Sequence, residues 1–205
     1  MSYRSLLAVL ALSFALSGCD RAGDDAAQQQ QSLQGEKAAL SGVIDHSFAG
    51  TLMPNVNVVD PDGRSLNLGA LQGRPVLVNL WATWCAPCVI EMPMLDSLAD
   101  ELGDSVRVLT VSQDLQGAEK VGPFFEERNF RNLEPWMDTK NQLGFGFGGG
   151  SMPMTVLYDA SGQEVFRVMG AYEWNSPEAI AEVEMALGWQ TRRFSAGELD
   201  FGEQE

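Results

Sequence analysis

The sequence predicts an α/β fold of three layers in which helices cover a central mixed β-sheet. Val76 to Trp81 and Val106 to Ser112 are nearly continuous runs of β-forming apolar residues, as strands buried on both faces require. A helical repeat of apolar residues separates them, so these two strands should pair in parallel. Thr155 to Tyr158 and Glu164 to Met169 flank a turn sequence and predict an antiparallel hairpin on the same sheet.

An amino-terminal hairpin extension is expected before the first central strand. Pro61-Asp62-Gly63 is a turn signal, and Leu66, Leu68 and Leu71 lead to a second turn at Gly73-Arg74-Pro75. Short apolar runs between turn residues are typical of hairpins. This part of the chain should therefore precede the buried strands as an addition to the sheet.

Three helices are predicted from apolar residues that recur three and four positions apart. The first follows Cys88 and ends at Gly103, a favourable carboxyl-terminal cap. The second spans Ala118 to Phe130. The last has Ser176 as its amino-terminal cap and Pro177 in its first turn.

Composition and charge exclude several classes of function. The 205 residues include 45% apolar and 20% charged residues, which is typical of a globular protein. Thirteen Lys and Arg stand against 28 Asp and Glu, for a net charge of −15, so we expect no binding to nucleic acid. One His and three Cys could form a four-ligand zinc site only if all four took part, so metal binding is not expected. We expect a monomer with no metal and no cofactor.

The amino terminus has the layout of an export signal. Arg4 precedes Leu6 to Leu16, an apolar run of 11 residues, whereas a membrane-spanning helix needs about 20. The run ends in Leu16-Ser17-Gly18-Cys19, which resembles the bacterial lipobox. Residues 1–18 are therefore predicted to be a lipoprotein signal peptide and Cys19 the lipidated amino terminus. The alternative is an ordinary signal peptide that contains a cysteine.

The rest of the chain divides into three parts. Residues 19–42 are polar, with four consecutive glutamines, and predict a flexible tether with a reach of roughly 25 Å. Residues 43–190 form the folded domain, and residues 191–205 form an acidic tail. We expect a protein of the cell envelope that is lipid-anchored to a membrane and faces the periplasm.

A Cys-x-x-Cys pair marks the candidate active site. Cys85 lies between a predicted strand and a predicted helix, where the unpaired N–H groups of the helix and its dipole favour a thiolate. Cys85 is therefore the predicted nucleophile. Cys88, one helical turn further on, can attack a mixed disulfide on Cys85 and is the predicted resolving thiol. Pro87 fits the first helical turn.

Three other roles for the two cysteines have less support in the sequence. Covalent haem attachment needs a His after the second cysteine, and Val89 follows instead. A zinc site needs further ligands, and His46 is far away in the sequence. A purely structural disulfide is also possible, although so short a ring contributes little stability by loop-entropy arithmetic.

The segment Trp81-Ala82-Thr83-Trp84-Cys85-Ala86-Pro87-Cys88 resembles the active site of thioredoxin-fold proteins. With Gly73-Arg74-Pro75, Glu91-x-Pro93 and Met152-Pro153, the chain resembles the TlpA-like branch of membrane-tethered thiol-disulfide oxidoreductases over Val43 to Gly188. The resemblance implies that Pro153 is a cis-proline facing the disulfide. It also implies that the backbone of Met152 pairs with an extended substrate segment.

The chain departs from thioredoxins at a buried acid. Thioredoxins carry an Asp six residues before the first cysteine, and Asn79 stands there in this chain. Glu91, three residues after Cys88, matches a Glu of TlpA-like proteins, and burial would raise its pKa for proton transfer. The alternative is a solvated helix residue.

Other residues near the motif leave two interpretations open. Trp81 and Trp84 either shield the disulfide and form a docking surface or belong to the core. Four methionines near the motif suggest a copper site, but methionine is also a common core residue. They are Met92, Met94, Met152 and Met154.

Gly144 to Gly149 matches a nucleotide-binding pattern without its strand and helix, and is interpreted as a mobile loop near the cis-proline. His46 is expected at the surface.

The predicted function is thiol-disulfide exchange with exported protein substrates. The protein is expected to act as the reductant, and an electron donor in the membrane is expected to reduce it in turn. Cys85, Cys88, Glu91 and Pro153 are the predicted catalytic residues, and Trp84, Pro87 and Met152 are predicted to bind substrate. One alternative is a cytochrome c maturation reductase, although the Gly-Val-x-Gly-x-Pro-Glu segment of that group is absent. A peroxidase of the peroxiredoxin kind is disfavoured because its Pro-x-x-x-Thr-x-x-Cys pattern is missing. The last alternative is a non-catalytic copper-delivery lipoprotein.

Overall fold

The computed structural model describes residues 40–189, and an eight-stranded mixed sheet organises them. The strand order is β1-β8-β7-β4-β5-β6-β2-β3. The predicted mixed sheet is confirmed. In chain order the strands are β1 Val43–Asp45, β2 Asn57–Val59, β3 Ser65–Asn67, β4 Val76–Trp81, β5 Arg107–Ser112, β6 Trp136–Met137, β7 Met154–Tyr158 and β8 Glu164–Met169.

Strand β4 is the centre of the sheet. All six of its residues are buried, as expected for its continuous apolar run. It pairs in parallel with β5 and antiparallel with β7, and β7 continues into β8 as the predicted hairpin. The carboxyl end of β4 therefore lies inside the sheet, with neighbours on both sides.

The amino-terminal hairpin is part of this sheet. Strands β2 and β3 pair antiparallel around a turn in which the Asp60 carboxylate accepts hydrogen bonds from the backbone N–H groups of Asp62 and Arg64. The sequence did not predict β6, whose two residues are too few to show a period. This strand pairs in parallel with β5 and antiparallel with β2, so it joins the hairpin to the central strands.

Within the described residues, four α-helices accompany the sheet: α1 Ala86–Leu102, α2 Ala118–Arg128, α3 Gln142–Gly146 and α4 Pro177–Ala186. Helix α2 ends two residues earlier than predicted because Asn129 takes the left-handed conformation, with φ 51°. Helix α3 corrects the interpretation of Gly144 to Gly149 as a loop. The first half of that segment is helical, and Phe147 behind it is buried.

Each face of the sheet has its own apolar core. Side chains alternate along a strand, so Leu77 and Trp81 of β4 face one core while Val78 and Leu80 face the other. Helices α1, α2 and α4 cover the first core. Helix α3 and the segments around Met53, Val58 and Leu68 cover the second. This arrangement gives the three predicted layers.

Several predictions concern residues outside 40–189. They are the signal peptide at 1–18, the lipidated Cys19, nearly all of the tether at 19–42 and the acidic tail at 191–205. The domain boundaries stay predictions. Within residues 40–189, no helix combines the length and the apolar character needed to cross a membrane.

Candidate active site

Cys85 and Cys88 form a disulfide at the amino end of α1, with Cα atoms 5.3 Å apart. Cys85 is the residue that caps the helix, and Ala86 and Pro87 begin its first turn. The proline fits there because the N–H it lacks would have no partner in the first turn. Cys85 is 7% exposed and Cys88 is fully buried. The helix terminus and the small difference in exposure both favour Cys85 as the thiol that meets a substrate.

A buried carboxylate holds the turn that precedes Cys85. Asp114 follows β5, and its side chain accepts hydrogen bonds from the backbone N–H of Thr83 at 2.9 Å and from the Thr83 hydroxyl at 2.7 Å. The Ser112 hydroxyl donates a third, at 2.8 Å. Since β4 and β5 are parallel neighbours, their carboxyl ends meet here. Asp114 therefore fixes the backbone two residues before the reactive cysteine.

Glu91 lies three residues after Cys88 on the same helix, and its side chain is fully buried. Its carboxylate accepts a hydrogen bond from the Asn79 amide at 2.7 Å and another from the backbone N–H of Tyr172 at 3.0 Å. Burial raises the pKa of Glu91 from 4.5 to about 7, against the opposing effect of hydrogen bonding to the carboxylate. The interpretation of Glu91 as a solvated helix residue is therefore wrong.

Asn79 connects Glu91 to the sheet. Its amide also donates to the Thr155 hydroxyl at 2.9 Å, across the β4–β7 pair in which the two residues are direct neighbours. The Asn79 carbonyl oxygen is buried without a hydrogen-bond partner. A protonated Glu91 carboxyl could donate to such an oxygen after rotation of the amide. Asn79, at the position of the thioredoxin Asp, is thus a neutral residue that hydrogen-bonds to Glu91. Asn79 does not itself serve as the acid.

The Met152–Pro153 peptide bond is cis, as the resemblance implied. Pro153 is buried, and its carbonyl accepts a hydrogen bond from Gly170 at 2.9 Å. Met152 is half-buried and packs against the core cluster that contains both cysteines. The segment before β7 therefore packs against the same core cluster as the two cysteines.

The two tryptophans of the motif have different environments. Trp81 is fully buried and packs against Phe124 and Phe125 of α2, with ring centroids 4.8 and 5.9 Å away. Trp84 is 69% exposed, directly before Cys85. Pro87 is half-buried. Trp81 is thus a core residue, and Trp84 presents an aromatic surface beside the disulfide.

The methionines do not form one cluster. Met92 lies in the core beneath α1, and Met94 and Met152 pack against that core, whereas Met154 lies in the core on the other face of the sheet. His46 is exposed at the end of β1, with its ring 5.9 Å from that of Phe166. Over residues 40–189, no three side chains of His, Cys, Asp or Glu come together in a way that could hold a metal ion.

Sequence reasoning missed Gln113 and Asp114. The two residues follow directly after the buried strand β5, and the carboxyl ends of adjacent parallel strands are where side chains of α/β sites gather. That position is the signal that could have identified them. Gln113 is buried, and its backbone N–H donates to the carbonyl of Trp81 at 2.8 Å.

Comparisons with known proteins agree with this geometry. The family model described as Redoxin matches residues 48–183. The thiol-disulfide oxidoreductase ResA of Geobacillus thermodenitrificans is 30% identical over 117 residues, which are 56% of this chain and 65% of that protein. The thiol:disulfide interchange protein DsbE of Pseudomonas fluorescens is 32% identical over 150 residues, 73% of this chain and 78% of that protein.

A solved structure shows the same fold. The pneumococcal exposed lipoprotein thioredoxin Etrx1 of Streptococcus pneumoniae superposes with a TM-score of 0.54 at 25% identity, over 63% of this chain and 99% of that chain. The match with ResA spans just under two thirds of that relative's length.

Proposed function

The chain belongs to the redoxin family as a TlpA-like protein of the thioredoxin fold, and we propose that it is a thiol-disulfide oxidoreductase that reacts through Cys85 and Cys88. The observation that carries the proposal is the disulfide at the amino end of α1, with the buried Glu91 one helical turn beyond it. The relatives named ResA and DsbE support it, since both names describe thiol-disulfide chemistry.

The reaction begins from the dithiol form. The Cys85 thiolate attacks one sulfur of a substrate disulfide, so a bond between Cys85 and that sulfur forms while the substrate S–S bond breaks. The other substrate sulfur leaves as a thiolate and takes a proton. The Cys88 thiolate then attacks the Cys85 sulfur and releases the second substrate thiol. Two electrons have passed to the substrate, and the protein is left with the disulfide seen here.

Glu91 supplies the proton acceptor for the second step. Cys88 must lose its proton before it attacks, and it is buried away from water. Residues three apart on a helix are neighbours, with Cβ atoms roughly 5–6 Å apart. A carboxyl with a pKa of about 7 can both accept and return a proton near neutral pH.

The direction we propose is reduction of exported protein substrates. Cys-Ala-Pro-Cys resembles the motif of reducing members of the fold more than that of oxidants. Each turnover leaves a disulfide, so a thiol donor must reduce it, and we propose a donor in the membrane. The lipobox-like segment before Cys19 and the lipoprotein thioredoxin of Streptococcus pneumoniae support a lipid anchor in the cell envelope.

Trapping experiments test the proposal. We expect Cys88→Ser to accumulate mixed disulfides with exported proteins on non-reducing gels, because Cys85 can still attack but nothing resolves the product. Cys85→Ser should trap far fewer. Equal trapping by both variants would contradict the assigned roles. Loss of disulfide turnover in Cys85→Ser would also separate this enzyme from a non-catalytic copper-binding lipoprotein, whereas unchanged turnover would refute the proposed site.

A further inference from the structure

A cavity of about 200 Å³ lies on the face of the sheet opposite α1, beside the segment that contains the cis-proline. A water molecule occupies about 30 Å³ of liquid, so the space is large enough for a side chain. Its walls are mostly apolar. They include Leu80, Gln113, Phe145, Phe147, Met152 and Met154.

Gln113 is the unusual part of this wall. It is only 5% exposed, and both the oxygen and the nitrogen of its carboxamide are buried without a hydrogen-bond partner. Among residues 40–189, it is the one side chain with an unpaired buried donor and an unpaired buried acceptor. Exchange of the oxygen and nitrogen positions leaves this conclusion unchanged, since neither atom is paired. A buried polar group without a partner destabilises a fold, so the arrangement needs an explanation.

The cavity wall formed by α3 is held at both ends. At its start, the backbone N–H of Leu143 donates to the buried carboxylate of Asp138 at 2.7 Å. At its end, the carbonyl of Phe147 accepts from the Arg167 guanidinium at 3.1 Å, and Glu164 fixes that guanidinium through two hydrogen bonds of 2.6 and 2.7 Å. The cavity is therefore formed before any ligand arrives.

Two contacts connect the cavity with the part of the fold that carries the disulfide. Met152 lines the cavity and also packs against the cluster that contains Cys85 and Cys88. Gln113 is hydrogen-bonded to Trp81, four residues before Cys85. A polypeptide joined to Cys85 would have its neighbouring residues within reach of this space, because an extended chain covers about 3.3 Å per residue.

We propose that this cavity is a substrate subsite that takes the carboxamide side chain of an Asn or Gln lying within a few residues of the substrate cysteine. This inference rests on the proposed oxidoreductase function. The Gln113 oxygen would accept from the substrate NH₂ group, and the Gln113 nitrogen would donate to the substrate carbonyl, so both unpaired atoms gain a partner.

Other side chains match the subsite less well. A leucine would fit the apolar walls but would leave the Gln113 carboxamide unpaired. A lysine has no acceptor and a carboxylate has no donor, so each could pair only one of the two atoms. The net charge of −15 also disfavours an acidic side chain. A carboxamide supplies both groups without charge.

The test uses peptides that carry one cysteine in a disulfide with a small thiol. The two positions before the cysteine and the two positions after it are tested one at a time. At each position, one peptide carries Gln and its partner carries Leu, and the rest of the sequence is the same. The second-order rate constant for reduction is measured with pre-reduced protein in a single turnover. At one position, we expect the Gln peptide to react about tenfold faster than the Leu peptide, as two neutral hydrogen bonds would produce.

Two variants separate this subsite from a general effect. Gln113→Met keeps a chain of similar length and removes both polar atoms, and it should abolish the preference for Gln. Gln116→Met makes the same change at an exposed position three residues away and should keep the preference. The ratio of the Gln rate to the Leu rate is compared within each protein, and reduction of bis(2-hydroxyethyl) disulfide, which has no side chain for the subsite, reports any change in the general rate separately.

The outcomes are distinct. Equal rates for Gln and Leu at every position in the wild-type protein would overturn the subsite while leaving the oxidoreductase function intact, and this comparison needs no variant. A preference that persists in Gln113→Met would also overturn it. Failure to reduce both the peptides and the small disulfide would refute the proposed function, and the subsite with it.

Discussion

Glu91→Gln should change how the stability of the oxidised protein depends on pH. Glu91 has a pKa of about 7 in the folded state, because burial disfavours its charged form, against an ordinary value of 4.5. Between these two pH values, the folded state binds more protons than the unfolded state. The free energy of unfolding therefore falls as pH rises through this window. The variant side chain has nothing to titrate, so it should lose this part of the dependence.

The size of the effect follows from the two pKa values. The difference between about 7 and 4.5, at 1.36 kcal/mol for each pH unit, is about 3 kcal/mol. Full burial of the side chain means that solvent screens little of it. The introduced amide can keep its contacts, because rotation of the Asn79 amide would place its unpaired oxygen opposite the new NH₂ group. Relative to wild type, the variant should thus gain about 3 kcal/mol between pH 4.5 and pH 8.5.

Urea unfolding at these two pH values measures the change. The protein is kept in its disulfide form, so that neither cysteine titrates. Glu101→Gln is the matched control, since it makes the same substitution at an exposed position of the same helix. Its pH dependence should follow that of the wild type. A Glu91→Gln curve that runs parallel to wild type would refute the argument that burial holds this proton.

The same substitution should slow catalysis when the protein is in its dithiol form. If Glu91 accepts the Cys88 proton, exchange near neutral pH should slow by about 10²-fold, the lower end of general acid–base effects. The pH profile of thiol alkylation should change as well. Unchanged exchange and alkylation profiles would restrict Glu91 to a structural role.

Three further predictions follow from the fold and the sequence. Asp114→Asn should lower the free energy of unfolding by about 1–3 kcal/mol, because an NH₂ group would face donors from Thr83 or Ser112; urea unfolding measures this. Trp84→Ala should change stability by less than about 0.5 kcal/mol, since its side chain is exposed, and should slow reduction of protein disulfides more than that of small ones. Mass spectrometry of the mature amino terminus should find acyl chains on Cys19, with the protein in the membrane fraction.

Matched controls decide these three predictions. Asp100→Asn, at an exposed position of α1, should leave stability unchanged; equal losses from Asp100→Asn and Asp114→Asn would refute the role of the buried carboxylate. Leu52→Ala removes a side chain that is as exposed as Trp84. If both variants slow the reduction of protein disulfides equally, Trp84 has no special role in docking substrates. An unmodified terminus, or a freely soluble protein that begins at Cys19, would contradict lipidation.

The order of elements near the active site was predictable because it depends on local patterns. The continuous apolar run of β4 and the helical spacing after Cys88 determine a strand and a helix on either side of the cysteines. Gly103 marks the end of α1, where its φ of 49° suits a residue without a side chain. These features need only a few neighbouring residues to be recognised.

Helix α3 and strand β6 were not predictable because they depend on contacts with residues that are distant in the sequence. Strand β6 has two residues, and it exists because β5 and β2 pair with it on either side. Helix α3 has five residues and two glycines, a composition that favours a loop by itself. Contacts from distant residues stabilise it, namely the carboxylate of Asp138 and the guanidinium of Arg167.

The sequence by itself determined the fold class and the chemistry of the pair Cys85 and Cys88, because spacing and residue type are enough to place two thiols at a helix terminus. Only the tertiary structure decided the state of Glu91. Its burial depends on Asn79 from β4 and on Tyr172, which lies 81 residues further along the chain. The same holds for Gln113, whose unpaired carboxamide is visible only once every possible partner has a position. Desolvation and hydrogen-bond satisfaction are sums over all neighbours in space, and no local pattern contains them.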